Sequence, residues 1–453
     1  MNRVRYNMVL MASVMILWGS GANAPAEEIE LTLAEALQRV EEDNFSLLIN
    51  REAIQQAIAA TTRERSALLP QVNLEATQTR SRFVGSGGNA FSGAGGQPTG
   101  GGSTERNRFE AGVTGSISLL DPQRIATYQA SRIGIEVAEL EFESLRQEVL
   151  NLVAEAYLDL VLARQRLEVF QANVERSEGF LELARNRVDA GVAAQIDLTR
   201  AEVQLAQDEQ ALIEQENTVF VRETAVKRLL TIPQDKSIAA RPFRTRIQEA
   251  PDLNYEFTPQ MFADRSEYQQ ILQNLEQNRL EVRAARWERL PSVRLFGNLG
   301  LVSETPFDGD EEEEWTVGIG ASMPIFEGFR IRANTMLANS RLRATQSQMR
   351  DLKEEIESEY MLVWRDLKAR LAQIEVAEKT YSLAEEELSL AEVRFEEGVA
   401  DNRDLIDAQN NLAQADDNRL DAYNRYDRGR LELARVRGDV LLILADQVVL
   451  NEE

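Results

Sequence analysis

The chain states one long pattern twice. The run Arg187-Val188-Asp189-Ala190-Gly191-Val192, followed by Asp197-Leu198, returns as Arg394-Phe395-Glu396-Glu397-Gly398-Val399, followed by Asp404-Leu405, at an offset of 207 residues. Upstream, Leu69-Pro70-Gln71-Val72 returns as Leu290-Pro291-Ser292-Val293 at an offset of 221, because the first copy carries a longer Gly-rich insertion. Solenoid repeats recur about every 20 to 50 residues, so this is a duplicated half-molecule instead. One chain supplies two quasi-equivalent pieces of a larger ring.

Composition removes whole classes of chemistry. Among 453 residues there is no Cys and no His, which excludes thiol nucleophiles, disulfides, imidazole acid/base work and the usual zinc ligands. No GxxxxGK[ST] loop and no nucleophile–base set is present, so the reading is of a non-enzyme with no cofactor and no metal. The net charge of −25 disfavours nucleic acid as a partner. Arg3 and Arg5, the apolar run Met8 to Trp18 and small residues to Ala26 read as a signal peptide over 1–26. With no Cys to carry a lipid, the expectation is an exported, unlipidated protein.

The helical segments are long. From Pro122 to Ala190 the only glycines are Gly134 and Gly179, and apolar residues recur every seven positions at Leu160, Leu167, Val174, Leu181 and Val188. The second copy repeats this at Leu367, Ile374, Tyr381, Leu388 and Phe395. A sustained period of 3.5 marks a coiled-coil seam, and each helix would be roughly 100 Å long. Gly191 ends the first, and a return helix carries Leu198, Leu205, Leu212, Val219 and Val226 as far as Pro233. Half-length helices are expected at Thr32 to Leu69 and Thr258 to Leu290.

Beyond Pro70 and Pro291 the period changes to two. Val72, Leu74 and Ala76 alternate with polar residues, as do Phe109, Ala111, Val113, Ile117 and Leu119, then Val293, Leu295, Leu299 and Leu301, then Trp315, Val317, Ile319, Ala321 and Met323. The predicted strands are 71–83, 108–120, 292–302 and 314–326, in hairpins over 71–120 and 292–326. Strands of about ten residues with one apolar face suit an outer-membrane barrel, and a soluble antiparallel sheet shows the same alternation. Four strands cannot close a barrel, since closure starts at about eight. Membrane strands would therefore have to be pooled by several chains. Between the first pair, 84–105 holds nine glycines, and between the second pair an acidic run, Asp310 to Glu314, reads as a solvated loop able to meet divalent cations.

These features together resemble the TolC-like outer-membrane efflux protein family. The resemblance rests on Leu31-Thr32-Leu33-Ala34-Glu35-Ala36-Leu37 with Asn44, the two Leu-Pro-x-Val strand starts, Pro324-Ile325-Phe326-Glu327-Gly328 with Arg330, and above all the duplicated tip motifs. It implies a mainly α fold with a membrane β-barrel: long antiparallel coiled-coil helices forming an α-barrel, and four strands per chain contributing to a trimeric twelve-stranded barrel. The implied division is a first repeat over 27–232, an equatorial linker over 233–256, a second repeat over 257–437 and a C-terminal equatorial segment over 438–453. The implied function is a passive exit duct in the outer membrane, joined through a periplasmic adaptor to an inner-membrane transporter, for efflux or type I secretion. The tips Arg187, Gly191 and Val192 with Arg394, Gly398 and Val399 would dock the adaptor. Asp404 and Asp407, with Asp197 and Phe395, would form the periplasmic gate. A periplasmic or secreted coiled-coil structural or adaptor protein without a barrel is the alternative that the residues leave open.

Overall fold

The computed structural model describes residues 28–84, 103–245, 247, 263, 265–306, 309–397, 399 and 402–445. The expected signal peptide, the Gly-rich excursion, most of the linker after 247 and the last eight residues lie outside that set. The first half runs β1 (Glu28–Leu31), α1 (Leu33–Asp43), α2 (Phe45–Ser66), β2 (Gln71–Val84), β3 (Ser103–Leu120), α3 (Pro122–Asp189) and α4 (Gln195–Leu229). After β4 (Ser237–Ala240) the second half runs α5 (Ser266–Trp287), β5 (Ser292–Ser303), β6 (Glu312–Ser322), α6 (Arg330–Glu396), α7 (Asn402–Val436) and the single turn α8 (Leu442–Ala445). Among the described residues no helix is long and apolar enough to cross a membrane.

The long helices α3 and α6 have 68 and 67 residues. Asp121 opens α3 by accepting from the Arg124 backbone N–H at 3.1 Å, with Pro122 in the first turn. The first half-length helix is not continuous, as the pattern suggested, but breaks at Asn44. That side chain accepts from Ser46 N at 2.9 Å to cap α2 and donates to the Leu229 carbonyl at 3.0 Å. Its counterpart is described over Ser266–Trp287 and ends three residues before the expected Leu290, and the expected start at Thr258 lies outside the described residues.

The four long strands form one antiparallel sheet in the order β2-β3-β5-β6. Its register collects the apolar positions on one face, in rows such as Leu74–Val113–Leu299–Trp315 and Ile117–Leu295–Ile319. The other face carries Asn73–Thr114–Asn298–Thr316 and Glu75–Gly112–Gly300–Glu314. The last strand stops at Ser322 and not at 326, because Pro324 cannot donate to a ladder and Gly328 and Phe329 take φ of 59° and 66° to turn into α6. The acidic run is likewise more strand than loop: Glu312 to Glu314 open β6, and Glu314 lies 3.3 Å from the Arg108 guanidinium.

Below the sheet the helices lie side by side as a wall. Near the strands its order is α2-α3-α5-α6, and in the far half α4-α3-α7-α6, so α3 and α6 run the full length while the others relay. A compact core sits at mid-rod. Here β1 and β4 pair in parallel, and Leu33, Leu37, Leu150, Tyr157, Ile238, Val440 and Ile443 are buried together. The Tyr157 hydroxyl lies 2.8 Å from the Leu31 carbonyl and 2.7 Å from that of Arg241, and burial pushes its phenol above the usual range. The strand-like segment after β4 then crosses α7, with Thr245 donating to Asp427 and Arg244 lying 4.1 Å from the Tyr423 ring centroid.

Candidate functional site

At the end of the rod away from the sheet, α3 turns into α4 and α6 into α7. Both turns use one local solution. Val192 N donates to the Arg187 carbonyl and Val399 N to the Arg394 carbonyl, each at 2.9 Å, the six-to-one bond of a Schellman helix end. Gly191 supplies the left-handed residue this requires, with φ of 76°. Gly398, its counterpart, lies outside the described residues. The two motifs leave Val192 and Val399 exposed at 68% and 69%, a matched pair of apolar knobs.

The tips are clasped to each other by two bonds running in opposite directions. From the first repeat, Arg187 donates to the Phe395 carbonyl and lays its guanidinium 4.4 Å from the Phe395 ring centroid. From the second, Asn402 donates to the Asp197 carbonyl at 2.6 Å. Phe395 is buried and packs against Phe180, with ring centroids 5.7 Å apart. It is thus an interior anchor of the tip. Asn402 went unnoticed in the sequence; its acceptor is a main-chain oxygen, which no residue pattern displays.

The three aspartates divide. Asp197 accepts from Ala194 N at 3.3 Å and pairs with Arg200 at 3.4 Å, so it caps the start of α4. Asp404 and Asp407 are exposed and line an open groove of about 570 Å³ with Glu386, Glu387, Leu390 and Arg394. Arg403 sits 3.7 Å from Asp407. Asp407 lies twenty residues before Asp427, or about 200° round α7 at 100° per residue. It therefore faces away from the strap that covers Asp427.

A half-apolar sheet with two open edges, carried on full-length helices that end in paired tips, defines the wall segment of a channel. The sequence matches the family described as outer membrane efflux protein over residues 36–231 and 260–439, and the chain belongs to that family. It is 24% identical over 305 residues to the alkaline protease secretion protein AprF of Pseudomonas aeruginosa, a match covering 66% of this chain and 63% of AprF. The chain thus spans less than two thirds of that relative. With the outer membrane protein TolC of Vibrio cholerae serotype O1 it shares 22% over 427 residues, 90% of each. The fold is similar to that of the Campylobacter jejuni CmeC outer membrane channel, with a TM-score of 0.75 at 19% identity, covering 90% of this chain and 85% of the other.

Proposed function

We propose that three copies of this chain close into one continuous duct through the outer membrane and across the periplasm. The observation that carries this is the pair of open edges. Strands β2 and β6 each pair on one side only, and unpaired strand edges are not sustainable in lipid. Three protomers, each adding β2 to the next protomer's β6, give twelve strands and no edge. The apolar sheet face then meets lipid and the polar face lines the lumen.

The duct is passive and not an enzyme. An inner-membrane transporter energises the cargo, and a periplasmic adaptor meets the tips at Arg187 to Val192 and Arg394 to Val399, where Val192 and Val399 stand proud. The export role of AprF, named for protease secretion, supports type I secretion as one use of such a duct, and small-molecule efflux is the other.

The gate is at the periplasmic end. Asp404 and Asp407 point away from the mid-rod strap, which has to lie outside an open tunnel, so threefold symmetry repeats them as lumenal rings. Around the same groove each protomer holds Glu386, Glu387, Asp404 and Asp407 against Arg394 and Arg403, and this surplus favours cations. The clasp made by Arg187 and Asn402 holds the two tips at a fixed spacing and so keeps the rings narrow. In a planar bilayer the wild type is expected to be cation-selective and blocked by multivalent cations. Asp404→Ala with Asp407→Ala should lose most of both. An unchanged double variant would place the constriction elsewhere.

A further inference from the structure

The chain is strongly acidic, yet its outer surface where helices meet strands is basic. Arg283 and Arg286 occupy the last two turns of α5, and Arg332 the first turn of α6, all exposed. Among the described residues no carboxylate pairs with any of the three. Glu288, the acid at the same height, is already engaged by Arg330 and by Asn334 at 3.1 Å.

These arginines face outward. Helix α5 meets α3 through Gln270, which donates to Glu141 at 2.8 Å, and through Gln277 beside Gly134. It meets α6 through Asn278, which donates to Thr345 at 2.9 Å, and through Ala285, whose carbonyl accepts from Thr335 at 3.3 Å. Round the helix these two contact faces lie less than half a turn apart. In a closed ring of helices the narrower angle between a helix's two neighbours is on the inside. The opposite face, carrying Leu272, Arg283 and Arg286, is therefore the outside. From there Arg286 reaches Asn339 of α6 at 3.5 Å. Arg332, seven residues before Asn339, shares that face.

Their height matches a lipid headgroup layer. At 1.5 Å per residue, Arg283 and Arg286 lie within about 6 Å of the end of α5 and Arg332 within about 3 Å of the start of α6. The headgroup layer on each side of a bilayer is roughly 5–7 Å deep. Beside Arg283 stands Trp287, half-buried, with the Arg283 guanidinium 5.7 Å from its ring centroid. Tryptophan is an interface residue, and guanidinium on a flexible stem matches phosphate oxygens in two-point geometry.

We propose that Arg283, Arg286 and Arg332, flanked by Trp287 beside Arg283, form a binding surface for the phosphate of anionic phospholipid in the inner leaflet of the outer membrane. This rests on the reading of the sheet as a membrane barrel. The surface sets the depth of the barrel and continues its lipid-facing side one step beyond the strands.

The test uses the whole chain, purified in detergent and titrated with phosphatidylglycerol, with bound lipid counted by native mass spectrometry. The triple variant Arg283→Gln, Arg286→Gln, Arg332→Gln is compared with Arg365→Gln, Lys368→Gln, Lys379→Gln, which removes the same charge from exposed positions farther along α6. Retained lipid should fall about tenfold in the first and change less than about twofold in the second. Equal retention in all three proteins, or equal loss in both variants, overturns the site. Displacement of the lipid by millimolar inorganic phosphate makes free phosphate the occupant and also overturns it. Bilayer conductance separates the levels: a wild type that fails to conduct refutes the barrel reading itself, whereas conducting proteins with equal lipid retention refute only this surface.

Discussion

At Phe395 the tip shows how side-chain chemistry can be replaced by main-chain chemistry. An aromatic without a hydroxyl cannot make an inter-helix bond through its ring. Arg187 makes the link to the Phe395 carbonyl instead and stacks on the ring as well. The positions were legible because the tip motif occurs twice; the partner was not, because a carbonyl has no letter. Asp427 is a second residue whose role appears only in three dimensions. Burial raises its carboxyl from 3.8 to about 6, against the Thr245 hydroxyl and backbone N–H that accompany it and the field of Arg244. A pKa higher in the folded than in the unfolded chain gives stability that is full below about pH 4 and lost as pH rises through about 6, worth at most about 3 kcal/mol. Between pH 5 and 7.5 the wild-type unfolding temperature should therefore drop, in thermal scans of the detergent-solubilised protein. Asp427→Asn, which still accepts from Thr245, should flatten that slope and be the more stable protein at pH 7.5. A slope left unaltered by the substitution would assign the titration to another group.

Element by element, what the sequence displayed was periodicity. The period of seven, with Pro122 and Gly191 as stops, located α3 almost to the residue and marked the far half of α6, and the period of two located the strands and their apolar rows. Breaks that depend on a distant acceptor were hidden. Asn44 splits α1 from α2 partly by donating to Leu229, and β1 pairs with β4 across the whole first repeat. Within the sheet, close approach matters most at one glycine pair. A Cβ at Gly300 would lie 2.8 Å from the Ala111 carbonyl and 3.0 Å from the Gly112 Cα, whereas one at Gly115 meets nothing nearer than 3.9 Å. Gly112 and Gly300 are on the polar face and Gly115 on the apolar one, so the close approach at this pair is on the polar side. Gly300→Ala should then sharply reduce the amount of heat-modifiable oligomer recovered from the outer membrane, while Gly115→Ala assembles normally. Matched yields from the two variants would mean that the strands can separate here without cost.

The whole molecule is explained by what one protomer leaves uncovered. In the far half α6 and α4 are the two ends of the wall, and among the described residues each carries an exposed apolar stripe. On α6 the stripe is Leu362, Val376, Leu383 and Leu390, between 55% and 69% exposed; on α4 it includes Val203, Ile213 and Phe220, between 52% and 68% exposed. On α6 these residues recur at multiples of seven, as a second coiled-coil seam requires, and Leu383 and Leu390 form the α6 rim of the groove that Asp404 and Asp407 line from α7. In the proposed trimer such seams continue the strand pairing of β6 with β2 down the rod. Burying one leucine is worth about 1.5–3 kcal/mol, and three protomers repeat each loss three times. Leu383→Glu with Leu390→Glu should therefore convert the purified protein from trimer to monomer, as measured by light scattering after size exclusion in detergent. Leu272→Glu, at a 41% exposed position on the outer face of α5, should remain trimeric. If the α6 double variant also stayed a trimer with undiminished heat resistance, the seam would have to be carried by the strands alone.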